Sequence, residues 1–351
     1  MEIVDAQRLW EPAGVYCNTA SYGLPPRPAW DALQSALADW HGGRTSWEAW
    51  GESTEAARAA FARLVGVELG RVAVGSTVSE LVGTVVTALP AGARVVVPEI
   101  EFTSTLFPLL VQDRLDVRVV PVAQLADAVS EGVEAVAFSA VQMSTGEVAD
   151  QARILEAAQH VGAITLCDVT QAAGWLPFDA SRFDAVVCGA YKWLASPRGS
   201  AFLTVSDRVL ERAVPHSAGW YAGDDVHASY FGPPLRLATS ARRLDVSPAW
   251  FSWVGTQPAL ELIERIGIDK IHAHDVALAN RFRAGVGLEP SDSAIVSAEL
   301  PGALDLLTSA GIIAAVRGGR LRTSWHVYNT ESDVDRVLDV LGGVLAAETA
   351  A

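Results

Sequence analysis

The chain has 351 residues, of which 50% are hydrophobic and 19% are charged, and its formal net charge is −15. This length and composition predict one large and one small domain with a sizeable buried core. The negative charge disfavours nucleic acid and anionic membranes as partners, because both prefer basic surfaces. No apolar run reaches the roughly 18 residues of a membrane-spanning helix, and residues 1–10 lack a signal-peptide pattern.

Three cysteines are present, Cys17, Cys167 and Cys188, and no two of them form a CxxC pair. This small, odd number predicts a reduced compartment, so we expect a soluble cytoplasmic protein. His272 and His274 form an isolated HxH sequence. On a helix these two side chains would not share one face, so we expect surface residues and no metal site.

The first predicted elements are an extended, proline-rich segment, 24–28, and two helices near 28–40 and 53–65. From 71 to 205, short β-rich runs alternate with helical stretches such as 78–89 and 151–161. This alternation predicts an α/β fold with a mostly parallel seven-stranded sheet and helices on both faces. The β-rich runs lie at 72–74, 94–97, 117–120, 135–138, 163–167, 185–188 and 201–205.

The remainder of the chain changes in pattern. Residues 215–247 are rich in Gly, Pro and aromatic residues, which predicts loops over a site. From 248 onward helices with a few strands are indicated, typical of a smaller C-terminal α+β domain. We therefore predict a large domain over 16–247 and a small domain formed by 1–15 and 248–351.

Lysine is rare in this chain: of the 26 Lys and Arg residues, only Lys192 and Lys270 are lysines. Lys270 lies at a polar helix start and is expected to be an ordinary surface residue. Lys192 shortly follows the predicted strand 185–188. An ε-amine forms an imine with an aldehyde, which a guanidinium practically cannot. By itself the count is equally well explained by chance.

Asp168 ends the predicted strand 163–167, about one strand–helix–strand unit before Lys192. Ligands of such sheets bind beyond the carboxyl ends of the strands, so we expect both residues at one edge. Pyridoxal 5′-phosphate (PLP) chemistry needs this pair. The lysine holds the aldehyde as a Schiff base, the internal aldimine, and the carboxylate keeps the pyridine nitrogen protonated. Gln171 would tune the ring oxygen. Alone, Asp168 is typical of a helix N-cap.

A phosphate cradle is predicted where the strand 72–74 is followed by Gly75, Ser76, Thr77 and a helix. The start of a helix offers free N–H groups and a positive dipole end to an anion. By itself, this pattern is more typical of a simple Ser/Thr cap.

Together these motifs resemble the class V aminotransferase family of fold-type I PLP-dependent enzymes, which includes cysteine desulfurases, kynureninases and isopenicillin N epimerase. The similarity extends over nearly the whole chain. It implies that Lys192 and Asp168 are catalytic and that Phe102 stacks on the pyridine ring. The cofactor-binding residues that it implies are Ser76, Thr77, Phe102, Asp168, Gln171, Tyr191 and Lys192.

The segment 321–330 resembles the family's R-x-S-x-x-x-Y-N-T sequence. This implies that Arg322 binds the substrate carboxylate through two parallel bonds. Asn18 lies in a segment, 16–23, that resembles the family's N-terminal segment reaching the active site. Desulfurases carry a nucleophilic cysteine in the region corresponding to 304–319, which has none here. Desulfurase activity is therefore disfavoured, and Cys167 and Cys188 are expected to pack in strands.

Two positions depart from the family pattern at the phosphate. Gly189 stands where many relatives have a hydroxyl residue, and 247–248 is Ser-Pro in place of a Gly-Thr segment that reaches a neighbouring subunit. Other donors are therefore expected. Arg242 and Arg243 are candidates, although both are equally typical of surface arginines.

The resemblance implies a homodimer that acts on a small-molecule amino acid or amine, most simply by an aminotransferase-like reaction. A PLP-dependent carbon–sulfur (β-) lyase or epimerase is an alternative, and so is a catalytically silent PLP-fold binding module. The absence of GxGxxG and GxxxxGK[ST] disfavours a nucleotide-binding protein. Candidates for the substrate pocket are Trp220, Tyr221, His216, Trp250 and Trp253.

Overall fold

The computed structural model describes residues 1–348, and the side chains of residues 1–342. The first helices are α1 (Ile3–Gln7), α2 (Arg27–His41) and α3 (Trp47–Leu64). Next come β1 (Val72–Gly75), α4 (Val78–Val86), β2 (Arg94–Pro98), α5 (Thr103–Leu110), β3 (Asp116–Val120), α6 (Leu125–Ala128), β4 (Ala135–Ser139) and α7 (Gln151–Val161). They are followed by β5 (Ile164–Asp168), β6 (Ala185–Gly189), β7 (Ala201–Val205) and α8 (Asp207–Arg212). The chain continues with α9 (Trp250–Ile266), α10 (Ile268–Gly285), β8 (Ile295–Ala298), α11 (Ala303–Ser309), β9 (Ala315–Arg317), β10 (Arg320–Ser324) and α12 (Glu331–Glu348).

Seven strands form one sheet in the order β1-β7-β6-β5-β4-β2-β3. The strands β2 to β6 pair in parallel, whereas β7 runs antiparallel to both of its neighbours, β1 and β6. The predicted α/β fold with a mostly parallel seven-stranded sheet is thus confirmed. Because β1 is antiparallel to β7, it ends at the same edge of the sheet as β2, β4, β5 and β6.

Alternate strand residues pack on opposite faces of this sheet, and helices cover both. Phe138 and Phe202 face α3, α7 and α9, whereas Leu166 and Leu203 face α4, α5 and α8. Phe61 of α3 stacks on Phe202 with ring centroids 4.2 Å apart. Each such fully buried side chain stabilises the fold by about 1.5–3 kcal/mol, and the buried strands explain the near-continuous apolar runs of the sequence.

Helix starts follow the capping residues. The helix α7 has the predicted bounds, since the Asp150 side chain accepts a hydrogen bond from Arg153 N and Gly162 ends the helix at φ 72°. The helix α3 begins six residues before the predicted position, because Ser46 caps it by accepting from Ala49 N. That cap lies upstream of the periodic apolar pattern, which is why periodicity placed the start too late.

A second, antiparallel sheet has the order β8-β10-β9 and packs with α10, α11 and α12. The N-terminal segment joins it through parallel bridges of Tyr16 to Ile313 and of Asn18 to Ser324. The division into domains 16–247 and 1–15 with 248–351 stays a prediction, and its last three residues lie outside the described part. Near its boundaries, α9 packs on the large sheet, and residues 16 and 18 pair with the segments around the small sheet. Within residues 1–348, no helix is long and apolar enough to cross a membrane.

Candidate active site

A pocket lies at the edge of the large sheet where β1, β2, β4, β5 and β6 end. Asp168 is the last residue of β5, and Lys192 follows the end of β6 by three residues. Topology therefore brings these two residues together, as the sequence predicted. All seven residues predicted for the cofactor line this pocket, namely Ser76, Thr77, Phe102, Asp168, Gln171, Tyr191 and Lys192.

Lys192 is almost completely buried, with 5% of its surface exposed. Burial lowers the pKa of Lys192 to about 8, Asp168 opposes this shift, and Arg322 and Arg198 reinforce it. Its Nζ lies 5.4 Å from the ring centroid of Phe102 and 5.6 Å from that of Tyr191. An amine with this pKa has a substantial neutral fraction near neutral pH, and the neutral form is the nucleophile.

The main chain of Lys192 is held by the N-terminal segment. Gly23 N donates to the carbonyl oxygen of Tyr191 at 2.9 Å. A Cβ on Gly23 would lie 1.9 Å from the carbonyl oxygen of Lys192, so this approach requires glycine. The segment 16–23 therefore contacts the lysine loop directly, a contact for which the sequence offered only the presence of a glycine.

Both carboxylate oxygens of Asp168 are oriented by hydrogen bonds. Thr105 Oγ1 donates to Oδ2 at 3.0 Å, and Thr170 N donates to Oδ1 at 2.8 Å. Asp168 and Thr105 are both buried. The Asp168 carboxylate therefore lines the pocket in one fixed orientation, which suits a hydrogen bond to a single atom of a ligand.

Gln171 is fixed by two neighbours. Its Nε2 donates to the carbonyl oxygen of Ala20 at 2.9 Å, and its Oε1 accepts from Trp193 Nε1 at 2.8 Å. Because an amide nitrogen carries two hydrogens, Nε2 keeps one donor for the pocket. The hydrogen bond from Gln171 to a ring oxygen stays a prediction, for which this second hydrogen is available.

The stacking candidate Phe102 precedes α5 and is anchored through its neighbour Glu101. The Glu101 carboxylate accepts from Phe102 N at 2.9 Å and from Ser139 N at 2.7 Å. Burial raises the pKa of Glu101, while its hydrogen bonds to Ser139 and Phe102 act in the opposite direction. Sequence reasoning missed Glu101, although its position directly before Phe102 was a usable signal.

At the start of α4, Thr77 caps the helix by accepting from Glu80 N at 3.3 Å, and Ser76 N donates to Glu80 Oε2 at 3.0 Å. Neither bond uses the hydroxyl hydrogen of Ser76 or Thr77. Thr77 Oγ1 also lies 3.4 Å from Ser79 Oγ, and if Ser79 donates in that contact, both Ser76 and Thr77 can donate to an anion. The first N–H groups of α4 also lack partners within the helix. A Cβ on Gly189 would lie 3.4 Å from Val78 Cγ2, which places that glycine beside this helix start.

The cation that lines the pocket was not predicted. Arg242 and Arg243, the candidates from the sequence, are absent from the described pocket wall, whereas Arg198 is part of it. The guanidinium carbon of Arg198 lies 4.9 Å above the ring centroid of Tyr191. The suggestion that Arg242 or Arg243 reaches the phosphate of a neighbouring subunit stays a prediction, since the pocket described here is that of one chain.

Arg322 is completely buried. Its Nη2 donates to Asn18 Oδ1 at 3.1 Å and to Ser21 Oγ at 2.5 Å. Its Nη1 donates to the carbonyl oxygen of Met143 at 2.9 Å. Burial, reinforced by the nearby Arg317, lowers the pKa of Arg322 to about 10. The structure thus brings the two predicted substrate residues, Arg322 and Asn18, into direct contact.

The aromatic candidates for the substrate pocket were wrong. Trp253 is completely buried and packs edge-on against Phe202. Trp220 and Trp250 pack around Trp47 in a separate cluster. Their clustering in sequence reflects packing between helices and loops. In the described structure, none of the five candidates lines the pocket, namely Trp220, Tyr221, His216, Trp250 and Trp253.

Cysteine and histidine do not add chemistry to the pocket. Cys167 and Cys188 are completely buried in β5 and β6, and burial raises the pKa of both thiols. His272 stacks on Trp175, and His274 contacts the carbonyl oxygen of Asn329 at 3.1 Å. The two histidines are therefore half-buried, not surface residues as expected. The described residues contain no group that could hold a metal ion.

A sequence model of the family described as aminotransferase class-V matches residues 26–298. The chain belongs to this family. An uncharacterised aminotransferase of Bacillus subtilis, YcbU, is 27% identical over 84% of this chain and 85% of the relative. Isopenicillin N epimerase of Streptomyces clavuligerus is 26% identical over 95% of both chains.

Among solved structures, a mutant of the lyase C-DES with glycine covalently linked to its PLP cofactor has a TM-score of 0.84 and 19% identity, covering 95% of this chain and 96% of that one. This similarity confirms the fold. Enzymes of the family depend on PLP, so the predicted cofactor and enzyme class are confirmed.

The donors of this pocket fit PLP. The buried lysine suits the aldehyde of PLP, and the fixed carboxylate suits its pyridine nitrogen. The start of the helix suits its phosphate. The half-exposed ring of Phe102, which lines the same pocket, offers a flat contact for the pyridine.

Proposed function

We propose that the protein is an aminotransferase-like enzyme of amino acids, with PLP attached to Lys192 as a Schiff base. The observation that carries this proposal is the pairing of two buried cations with different tasks. Lys192 has a pKa lowered to about 8, and Arg322 is completely buried without an acidic partner in the described structure. One suits proton transfer, and the other suits a substrate carboxylate.

Bound PLP withdraws electrons from the Cα of an amino acid substrate, which acidifies its Cα–H bond. In the proposed enzyme, Lys192 Nζ would take up the Cα proton and pass it to the former aldehyde carbon of the cofactor. Hydrolysis by water would then leave the amino group on the cofactor and release a keto acid. Asp168, held by Thr105 and Thr170, keeps a proton on the pyridine nitrogen. Arg322 and Asn18 orient the substrate carboxylate.

The remaining cofactor contacts follow from the pocket wall. Ser76 and Thr77 bind the phosphate together with the N-terminus of α4, and Arg198 supplies the positive charge expected from Arg242 or Arg243. Phe102 stacks on the ring, and Gln171 donates to its oxygen. Tyr191 packs beside Lys192 and limits the access of water.

Two other reactions are alternatives with specific support. The relatives include an epimerase, and C-DES is a cystine C–S lyase by its description, so β-elimination or epimerisation on the same residues is the second candidate. A catalytically silent binding module would not need Lys192, so a Lys192→Ala protein with full biological effect would favour that alternative.

We further propose a homodimer in the cytoplasm, without nucleic acid or membrane as partner, as the sequence predicted. The three buried, free cysteines are compatible with a reducing compartment. Sedimentation of the PLP-loaded protein measures its mass, and a fully active monomer would contradict the dimer.

The reaction is tested by mass spectrometry of cofactor and products after incubation with L-amino acids and cysteine conjugates. Pyridoxamine phosphate together with a keto acid supports transamination. Unchanged PLP with pyruvate, ammonia or a released thiol supports the lyase. A protein that takes up no PLP, or in which borohydride does not fix PLP to Lys192, contradicts both.

A further inference from the structure

A methionine separates the pocket from Arg322. Met143 follows β4 on the way to α7 and lines the pocket, whereas Arg322 lies behind that wall. The carbonyl oxygen of Met143 accepts from Arg322 Nη1 at 2.9 Å, and its sulfur contacts the same nitrogen. An anion entering the pocket therefore meets the thioether before it meets the guanidinium.

The acceptors around this guanidinium are neutral. They are the carbonyl and sulfur of Met143, Asn18 Oδ1 and Ser21 Oγ. Ser21 Oγ also accepts from Arg317 Nη2 at 3.2 Å, so a second cation adds to the positive charge. Among the side chains described, no carboxylate forms an ion pair with Arg322 or Arg317. A buried cation without a counter-charge is unfavourable, so an anion that reaches Arg322 gains a large stabilisation.

We propose that Met143 is a specificity-determining residue whose side chain is displaced from Arg322 by the α-carboxylate of the substrate. The inference rests on the proposed function, since it assumes that the substrate enters this pocket. A thioether is a weak acceptor on a flexible, unbranched chain, so its displacement from the guanidinium costs less than the two bonds that a carboxylate can form in its place. A carboxylate replaces it with charge-assisted bonds.

This replacement distinguishes two substrate classes that share the amino group. The carboxylate of an α-amino acid displaces the Met143 side chain and binds Arg322. A simple amine leaves Met143 in place and contacts only its apolar side chain. The site therefore selects amino acids over amines.

The test uses two small probes of similar size, propionate and propylamine, which carry the carboxylate and the amine separately. Their Kd values for the PLP-loaded protein are measured by calorimetry. Met143→Ala removes the side chain that covers Arg322. It is expected to lower the Kd of propionate about tenfold, which corresponds to the free energy of one hydrogen bond to a charged group. The Kd of propylamine for this variant is expected to stay within about twofold of the wild-type value.

A double-mutant cycle tests whether Met143 acts on propionate binding through Arg322. In an Arg322→Gln background, Met143→Ala is expected to leave the propionate Kd unchanged, because the group that Met143 covers is gone. Met143→Leu keeps the side-chain volume and serves as the matched control, expected within about threefold of the wild type.

Two results overturn the inference: an unchanged or weaker propionate Kd in Met143→Ala, or equal tightening of both probes, which indicates a generally enlarged pocket. Failure of the proposed function is seen separately and earlier. In that case the wild-type protein takes up no PLP, or borohydride does not fix PLP to Lys192, before any probe is added.

Discussion

His326 Nδ1 lies 2.8 Å from Asp275 Oδ2, and both side chains are completely buried. The other ring nitrogen, Nε2, lies 2.9 Å from the carbonyl oxygen of Trp193, the residue after Lys192. Burial raises the pKa of Asp275, and His326 lowers it. This pair ties α10 and the segment after β10 to the loop that carries the lysine, so His326 is a positioning residue.

We expect His326→Asn to destabilise the protein by about 1–3 kcal/mol, because the shorter amide can still donate to Asp275 but no longer reaches the buried carbonyl oxygen of Trp193. The thermal unfolding midpoint measures this change. A loosened lysine loop should also shift the pH dependence of PLP attachment, which a change in stability alone would not do. His160→Asn, at an exposed position of α7, is the control and should change neither quantity. Equal midpoints for both variants would contradict the role of His326.

The lowered pKa of Lys192 predicts the pH dependence of cofactor attachment. Only the neutral amine reacts, and its fraction rises as pH increases through the folded-state pKa of about 8, not through the ordinary value of 10.5. Attachment of PLP to the apoprotein should therefore accelerate between pH 7 and pH 9 with a midpoint of about 8. Stopped-flow absorbance measures the rate.

The same shift has a consequence for stability, since burial disfavours the protonated amine in the folded apoprotein. The contribution of Lys192 to the free energy of unfolding should therefore fall as pH decreases from about 10.5 to about 8. Below pH 8 this contribution should stay constant. Lys192→Met removes this contribution and is the control. A midpoint of attachment above pH 10 would show that Lys192 is not desolvated.

Thr105 is expected to act through Asp168. Thr105→Val keeps the shape of the side chain and removes the 3.0 Å hydrogen bond to Oδ2. A bond to a charged group contributes about 1.5–3 kcal/mol, so kcat should fall roughly tenfold or more while bound PLP stays stoichiometric. Thr103→Val changes an exposed threonine of the same helix and should leave kcat unchanged. Loss of PLP from Thr105→Val would instead indicate a role in cofactor binding.

Arg198 is expected to interact with the phosphate of PLP. Arg198→Gln should weaken the affinity for PLP about tenfold or more. The affinity for pyridoxal, which lacks the phosphate, should stay nearly unchanged. Arg212→Gln is the matched control, because Arg212 is exposed at the end of α8 and lies away from the described pocket wall. Fluorescence titration of the apoprotein gives both affinities, and equal losses for PLP and pyridoxal would contradict a phosphate contact.

Much of this architecture was predictable because the signals are local. Alternation of apolar runs and amphipathic stretches located the seven strands, and the rule for strand ends placed Asp168 and Lys192 at one edge. Contacts between distant segments were not predictable. Met143 against Arg322 and His326 against Trp193 join residues more than a hundred positions apart, and no periodic pattern connects them.

The aromatic residues show a different limit. Abundant tryptophan in 215–253 is compatible both with a substrate pocket and with packing, and composition does not distinguish the two. The structure resolves the choice through geometry, since Trp253 packs against Phe202 inside the core.

Gly23 provides the most direct test of how the N-terminal segment positions the lysine. An added Cβ would lie 1.9 Å from the Lys192 carbonyl oxygen, a backbone atom that cannot yield without moving the lysine loop. Gly23→Ala should therefore slow PLP attachment to Lys192 and lower the thermal midpoint. Gly83→Ala is the matched control: no atom lies within 4 Å of its added Cβ, and alanine in the interior of α4 should stabilise by about 0.5–1 kcal/mol. If Gly23→Ala attaches PLP at the wild-type rate, the segment 16–23 does not set the position of Lys192.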